Sequence, residues 1–491
     1  MKYWKWAAGA IVVWGMFAWL GMVRLDPDFG WHVRLGNLIL QQGIPKTDPF
    51  SYTMANLPFV DHEWLSNVLM AVGYRVIGKT GMSMAAALVA LAAIAVAVPG
   101  KWRKWMAAPA ILAITIFWPR SGIRPQIEDW VWLPLIVRLT GEEEKWKKWK
   151  WGLVPIMLIW ANMHGGFVIG IAVTATVLAV RSWEEKRWRW GDWAVWGTAT
   201  LVTLVNPYGI RLWGEVWQQV TDREVGKIIA EWQPFWADVE LGWLLLVALA
   251  GVLIWRFRRV LPKWKMAVVV GTWAASMSSL RNGALFAVVT APVVAELLGR
   301  FYEQMRGDKV AAGRTLKFYK GLVMLSAGLL ALEVGLTVVN PQTLGGESFF
   351  YPVKAVAWLN ENGVKGNFFT EYAWGGYLDW KFPQTKIFID GRMATWKWKS
   401  PDPKYSDYVF GEYEDIAYKG KGKKWFDKYD IKTALLMKSK TWPLREWLKS
   451  TLNRMGIDFT PDKGVTLAEQ LAGQGWTRVY EDDTAVIYEK L

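Results

Sequence analysis

Long apolar runs, broken by short polar, basic or tryptophan-rich stretches, fill the first two thirds of the chain at about 4–23, 82–99, 106–119, 128–141, 151–163, 165–181, 193–206, 241–256, 264–281, 283–299 and 321–339. A bilayer core of ~30 Å calls for about 20 apolar residues per helix, and soluble domains have few runs approaching that length. The pattern therefore predicts an α-helical polytopic membrane protein with about 11 transmembrane helices across 1–339. Residues 62–78 are read as a juxtamembrane amphipathic helix inside an outer loop, 24–81, because counting them as a span would reverse every later loop. Beyond 340 the pattern shortens. Segments 367–370 and 386–390 read as buried strands, 351–362, 406–418 and 442–455 carry helical spacing, and 476–480 with 484–488 flank the turn Glu481-Asp482-Asp483 as a hairpin. This predicts a soluble α/β domain over 340–491.

Charge gives the orientation. Of the Lys and Arg residues through Lys320, 25 fall on the side of the N-terminus and 11 on the other, and the bias alternates at every span. Positive charges near spans stay cytoplasmic. The sequence thus predicts a multi-pass protein of the cell (plasma or inner) membrane, with its N-terminus cytoplasmic and its C-terminal domain extracytoplasmic. The first apolar run lacks a small-x-small cleavage site and reads as an uncleaved span. The net charge of +15 then belongs to loops facing anionic membrane lipids, not to a nucleic-acid surface. The 37 tryptophans suit the headgroup interface. With no cysteine, disulfides, thiolate ligands and cysteine nucleophiles are excluded.

The candidate chemistry lies on the outer side. It comprises Asp26, Asp28 and His32; Asp48; Asp61, His62 and Glu63; Arg120, Arg124, Glu128 and Asp129; Asn162 and His164; Asn206-Pro207-Tyr208; and Arg281 with Asn282. All three histidines of the chain are in this set. An ionisable group at the mouth of a span is expensive unless it is used or paired. The asymmetry points to an outward-facing reaction or binding site.

The string Asp26-Pro27-Asp28-Phe29-Gly30-Trp31-His32, followed by Thr47-Asp48-Pro49-Phe50 and His62-Glu63-Trp64-Leu65, resembles the first outer loop of a group of bacterial membrane proteins of the GT-C glycosyltransferase type. Arg124-Pro125-Gln126, Asn162-Met163-His164-Gly165-Gly166, Trp374-Gly375-Gly376-Tyr377 and Asp390-Gly391-Arg392 continue the resemblance. It implies an enzyme that moves a sugar from a polyprenyl-phosphate donor to a glycan, lipid or protein acceptor on the extracytoplasmic side. Such transfer needs a base for the acceptor and positive charge, or a divalent metal such as Mg or Mn, for the departing phosphate. The catalytic candidates are Asp28, then Asp26 and Glu63. The substrate-binding candidates are His32, Arg120, Arg124, Asn162, Arg281, Trp374, Tyr377, Asp390 and Arg392. The metal candidates are Asp28, His62 and His164.

Structural roles stand beside these. Asp26 can cap the segment from Phe29, Asp48 before Pro49 suits a turn, Asn162, Gly165 and Gly166 suit a tight interhelical turn, and Asp390 can pair with Arg392. At the level of function, a transporter would place polar residues and broken helices at mid-membrane, and these spans carry almost none. A non-catalytic scaffold of the same fold, binding a partner in envelope or polysaccharide assembly, is the alternative.

Overall fold

The computed structural model describes residues 3–98, 100–222, 224–438 and 467–490. About 70% of the chain is helical, with one small sheet near the C-terminus. It divides into two compact units, one of residues 1–22, 60–66 and 73–338 and the other of 23–59, 67–72 and 339–491.

In the first unit a helix stands at every expected span, from Tyr3–Val23 to Lys309–Val338. Among the described residues, four helices are long and apolar enough to cross a membrane: Trp64–Ala97, Phe167–Glu184, Leu280–Met305 and Lys309–Val338. Others are shorter than the sequence pattern suggests. Ala107–Phe117 and Leu153–Met163 have 11 residues each, or ~17 Å of helix against a ~30 Å core. Burial separates inner from outer helices. The apolar window of Leu280–Met305 is 83% buried and that of Lys309–Val338 only 17%, so the first forms the centre of the bundle and the second its periphery. The segment expected to lie on the surface, 62–78, and the span expected at 82–99 form one long helix, Trp64–Ala97, interrupted at Gly78 (φ 62°, ψ −177°). A positive φ favours glycine. Gly78 is therefore what lets the chain leave one helical segment and start the next.

The second unit holds a four-stranded sheet in the order β1-β2-β4-β3, with β1 Asn367–Thr370, β2 Ile431–Met437, β3 Trp476–Glu481 and β4 Ala485–Lys490. β1 and β2 run parallel, while β2–β4 and β3–β4 are antiparallel. The expected hairpin is β3–β4, and helices Val353–Asn362 and Val409–Ala417 lie where the spacing places them. The helical spacing at 442–455 falls outside the described residues. Segment 386–390 is buried as expected, yet it is not a strand of the sheet. It forms a single parallel bridge, Ser51 to Ile387, and Thr53 Oγ1 donates to the Phe388 carbonyl. The outer-loop residues 50–53 thus pair with it, and Phe50, Ile387, Phe388 and Ile389 are all buried.

Candidate functional site

In the first unit the site is built where the Leu153–Met163 helix stops. Asn162 binds inward: its Nδ2 donates to the Leu158 and Val205 carbonyls and its Oδ1 accepts from Trp64 Nε1. His164 leaves the helix in an extended conformation, and Gly165-Gly166 turn the chain into Phe167–Glu184. Both glycines are required by neighbours. A Cβ on Gly166 would run into the Asp129 carboxylate, and one on Gly165 would press on Val216 and His62.

His164 sits between two acids. Its Nδ1 is 2.8 Å from Asp129 Oδ2 and its Nε2 is 3.2 Å from Glu63 Oε1. Trp160 Nε1 donates to the other Asp129 oxygen, and Asp61 Oδ1 accepts the Glu63 amide, fixing the turn that presents Glu63. Burial alone would lower the imidazole pKa, but Asp129 and Glu63 outweigh it and push the pKa up to about 10. The ring is therefore an imidazolium at neutral pH. Arg281 Nη2 approaches Nε2 to 3.1 Å. Since Nε2 then carries a proton directed to Glu63, this approach sets two cations side by side. His62 borders the same centre, with Nε2 3.7 Å from Glu63 and its ring centroid 6.2 Å from that of His164.

Arg281 is held from the other side by Glu231 at 3.8 Å and lies over the Trp232 ring. Arg124 reaches the same Glu231 at 3.0 Å. Burial raises the pKa of Glu231, but Arg124 and Arg281 outweigh it and hold it below the usual range. Arg120 acts on Glu231 only through its charge, from farther off. Its guanidinium pairs with Glu240 at 2.8 Å and donates to the Leu280 and Ile116 carbonyls. The first unit therefore gathers Glu63, Asp129, His164, Arg281, Glu231 and Arg124 into one connected cluster of charges. Asp129 was in the outer-side set drawn from the sequence but had no role assigned to it, and Glu231 was not in the set. For Asp129 the signal was available, because Gly166 needs a reason and Asp129 supplies it. Glu231 lies in a short turn, Ala230–Trp232, whose sequence has no distinguishing pattern.

The second unit explains the other motifs. Asp28 precedes the helix Phe29–Gln42, its amide bonded to Asp26 Oδ1 and its own Oδ1 accepting from Trp31 Nε1. Three glycines clear the ground around it. A Cβ on Gly391 would meet the Asp28 carboxylate, one on Gly376 the Pro27 carbonyl, and one on Gly30 the Gly376 carbonyl. The tail segments Trp374-Gly375-Gly376-Tyr377 and Asp390-Gly391-Arg392 thus form the seat of Asp26-Pro27-Asp28. Asp390 and Arg392 were candidates for binding substrate, and here they serve one another. Arg392 pairs with Asp390 and, at 2.9 Å, with Asp48, and all three are buried. Burial would lower the guanidinium pKa, but Asp390 and Asp48 hold it above its ordinary value. Trp374 is buried and donates to the Phe350 carbonyl, and Tyr377 stacks on Tyr351 at 4.6 Å. His32 is buried with Nδ1 against Asn67 Oδ1. These five positions shape the unit from within.

Among the described residues no group of three or more His, Cys, Asp or Glu side chains is arranged to hold a metal ion. Ligation needs neutral imidazole, and His164 is held protonated by its two acids. Of the expected ligands, His62 and His164 belong to the first unit and Asp28 to the second.

No protein-family model and no curated protein matches the chain in sequence. Solved structures do match in shape. ArnT from Cupriavidus metallidurans, in a crystal structure bound to undecaprenyl phosphate, aligns over 98% of this chain and 96% of its own, at 14% identity and TM-score 0.52. The Archaeoglobus fulgidus oligosaccharyltransferase, in its apo form, aligns over 89% of this chain and 70% of its own, at 13% identity and TM-score 0.55. With helices at the expected spans and a small C-terminal sheet, this chain has the fold of these two structures.

Proposed function

We propose that the protein is a membrane glycosyltransferase that takes a sugar from a polyprenyl-phosphate carrier and passes it to an acceptor on the extracytoplasmic side. The observation that supports this most is the likeness, over nearly the whole of both chains, to a structure bound to undecaprenyl phosphate. The cluster in the first unit has the chemistry such a donor requires. A sugar–phosphate bond breaks when negative charge on the departing phosphate is stabilised in a site that is organised beforehand. His164 is positive at neutral pH and is fixed by Asp129 and Glu63. Arg281 and Arg124 both reach the carboxylate of Glu231, so a phosphate that takes its place meets two guanidinium groups, each able to bind bidentately. Arg120, already neutralised by Glu240, is left out of this role.

In this reading Asp28 accepts the proton of the acceptor hydroxyl as its oxygen bonds to the sugar, and the carrier phosphate leaves with the electrons of the broken bond. Asp26 sets the backbone of Asp28, and Glu63 acts through His164. The donor side is tested by binding undecaprenyl phosphate to the purified full chain. Arg281→Gln and Arg124→Lys should each weaken it by ~10-fold or more, as expected for losing a charge-assisted fork. Arg120→Lys should change it little. Equal weakening by all three would detach the phosphate from this cluster and favour the scaffold reading.

A further inference from the structure

At the far end of the bundle from this cluster along the Asp129–Gly141 helix, a groove opens among that helix, Lys263–Ser278 and Leu280–Met305. Its volume is about 130 Å³, room for about four water-sized groups at ~30 Å³ each. Two helix-interior prolines, Pro134 and Pro292, both line it. Each removes a backbone donor and pushes the preceding turn away, which loosens helix packing at that level. The walls between them are apolar, with Val289 and Val293 the central side chains.

The mouth is charged, and unevenly. Glu296 is shared by Lys265 and Arg300, the latter at 2.8 Å. Glu142 is shared by Arg138 at 3.6 Å and Lys145 at 2.8 Å. Each carboxylate thus holds two cations, and each side of the mouth keeps one positive charge in surplus. Arg181 lies beside the groove over Trp264, donating to the Gly141 carbonyl and paired with Glu143 at 3.6 Å.

We propose that this groove is a binding site for an anionic phospholipid, one acyl chain lying between Pro134 and Pro292 and the phosphodiester meeting the surplus charge of Arg138 and Lys265. An apolar slot of about 130 Å³ accepts a run of about four methylenes at ~30 Å³ each, and its charged rim distinguishes an anionic from a zwitterionic headgroup. The site does not depend on the transferase reading, only on the helices lying in a bilayer.

Native mass spectrometry of the full chain, purified in detergent and offered phosphatidylglycerol or phosphatidylcholine with identical acyl chains, tests it. The wild-type chain should retain phosphatidylglycerol on the order of tenfold more than phosphatidylcholine. Arg138→Gln should erase that preference while leaving phosphatidylcholine retention unchanged. Val289→Phe, which fills the slot, should reduce both lipids; if this overpacked variant does not fold, Arg138→Gln decides alone. Equal retention of the two lipids by the wild type, or a preference that survives Arg138→Gln, would overturn the proposal.

Discussion

Replacing Asp129 by Asn should lower the pKa of His164 and make the fall in the first unit's stability with rising pH smaller. The change removes one of two carboxylates while keeping an oxygen for Trp160 Nε1. In the folded chain the imidazole titrates at about 10 against an ordinary 6.5. A folded value above the unfolded one means that the stabilisation is complete below pH 6.5 and is lost as pH rises through 10. At ~1.4 kcal/mol per pH unit, that interval bounds the contribution at about 5 kcal/mol. Removing one acid should bring the pKa down by ~1–3 pH units, the range of a single close opposite charge. With only three histidines in the chain, ¹⁵N-histidine NMR of the protein in micelles resolves the question, and the signal lost in His164→Gln gives the assignment. At pH 8.5 the wild-type His164 should be an imidazolium, and in Asp129→Asn its titration should shift toward neutrality. A neutral His164 at pH 8.5 in the wild type would refute the reasoning about this centre.

Gly166→Ala should destabilise the first unit by ~1–3 kcal/mol, since its Cβ meets the Asp129 carboxylate; thermal unfolding in detergent measures it. Arg392→Gln should cost ~3–5 kcal/mol by leaving Asp390 and Asp48 buried without their cation, and limited proteolysis should cut the second unit first. Cysteines introduced at Glu144 and Lys404, both exposed, should label from opposite sides of the membrane with a charged thiol reagent. Labelling from one side would show that the span count between them is even where it is read as odd.

The helices were legible because a hydrophobic run in a bilayer has no other solution: every backbone group must be satisfied within the segment. Each expected span is a helix for that reason, while the lengths were less legible, since Trp-rich flanks blur where apolar character ends. In the tail, β1 and the β3–β4 hairpin could be read from short apolar runs and a turn. β2, Ile431–Met437, was missed because its alternation ends after Lys432 in the continuously buried run Thr433 to Leu436, and a short apolar run does not tell strand from helix. Segment 386–390 was correctly read as buried, but burial does not name a partner, and the partner is 50–53, more than 300 residues earlier. The same limit applied to the site. Gly376, Gly391 and Gly166 were visible as motif glycines, whereas what they make room for, Pro27, Asp28 and Asp129, is set by long-range packing. Asp390 and Arg392 illustrate the converse: two charged residues in a motif read equally well as a ligand site or as a pair, and only their burial beside Asp48 decides.

Sugar transfer by the purified full chain, supplied with polyprenyl-phosphate-linked sugars and compared with its Asp28→Asn variant, tests the central claim most directly. The variant keeps the shape of the side chain and its acceptor for Trp31 Nε1, so folding should survive. Transfer should fall by ~10²-fold or more, the scale of a lost general base, while undecaprenyl phosphate binding stays at the parent level. Transfer by Asp28→Asn at the parent rate would contradict the assignment of the base, and no transfer by the wild type from any polyprenyl-linked donor would contradict the enzyme reading itself.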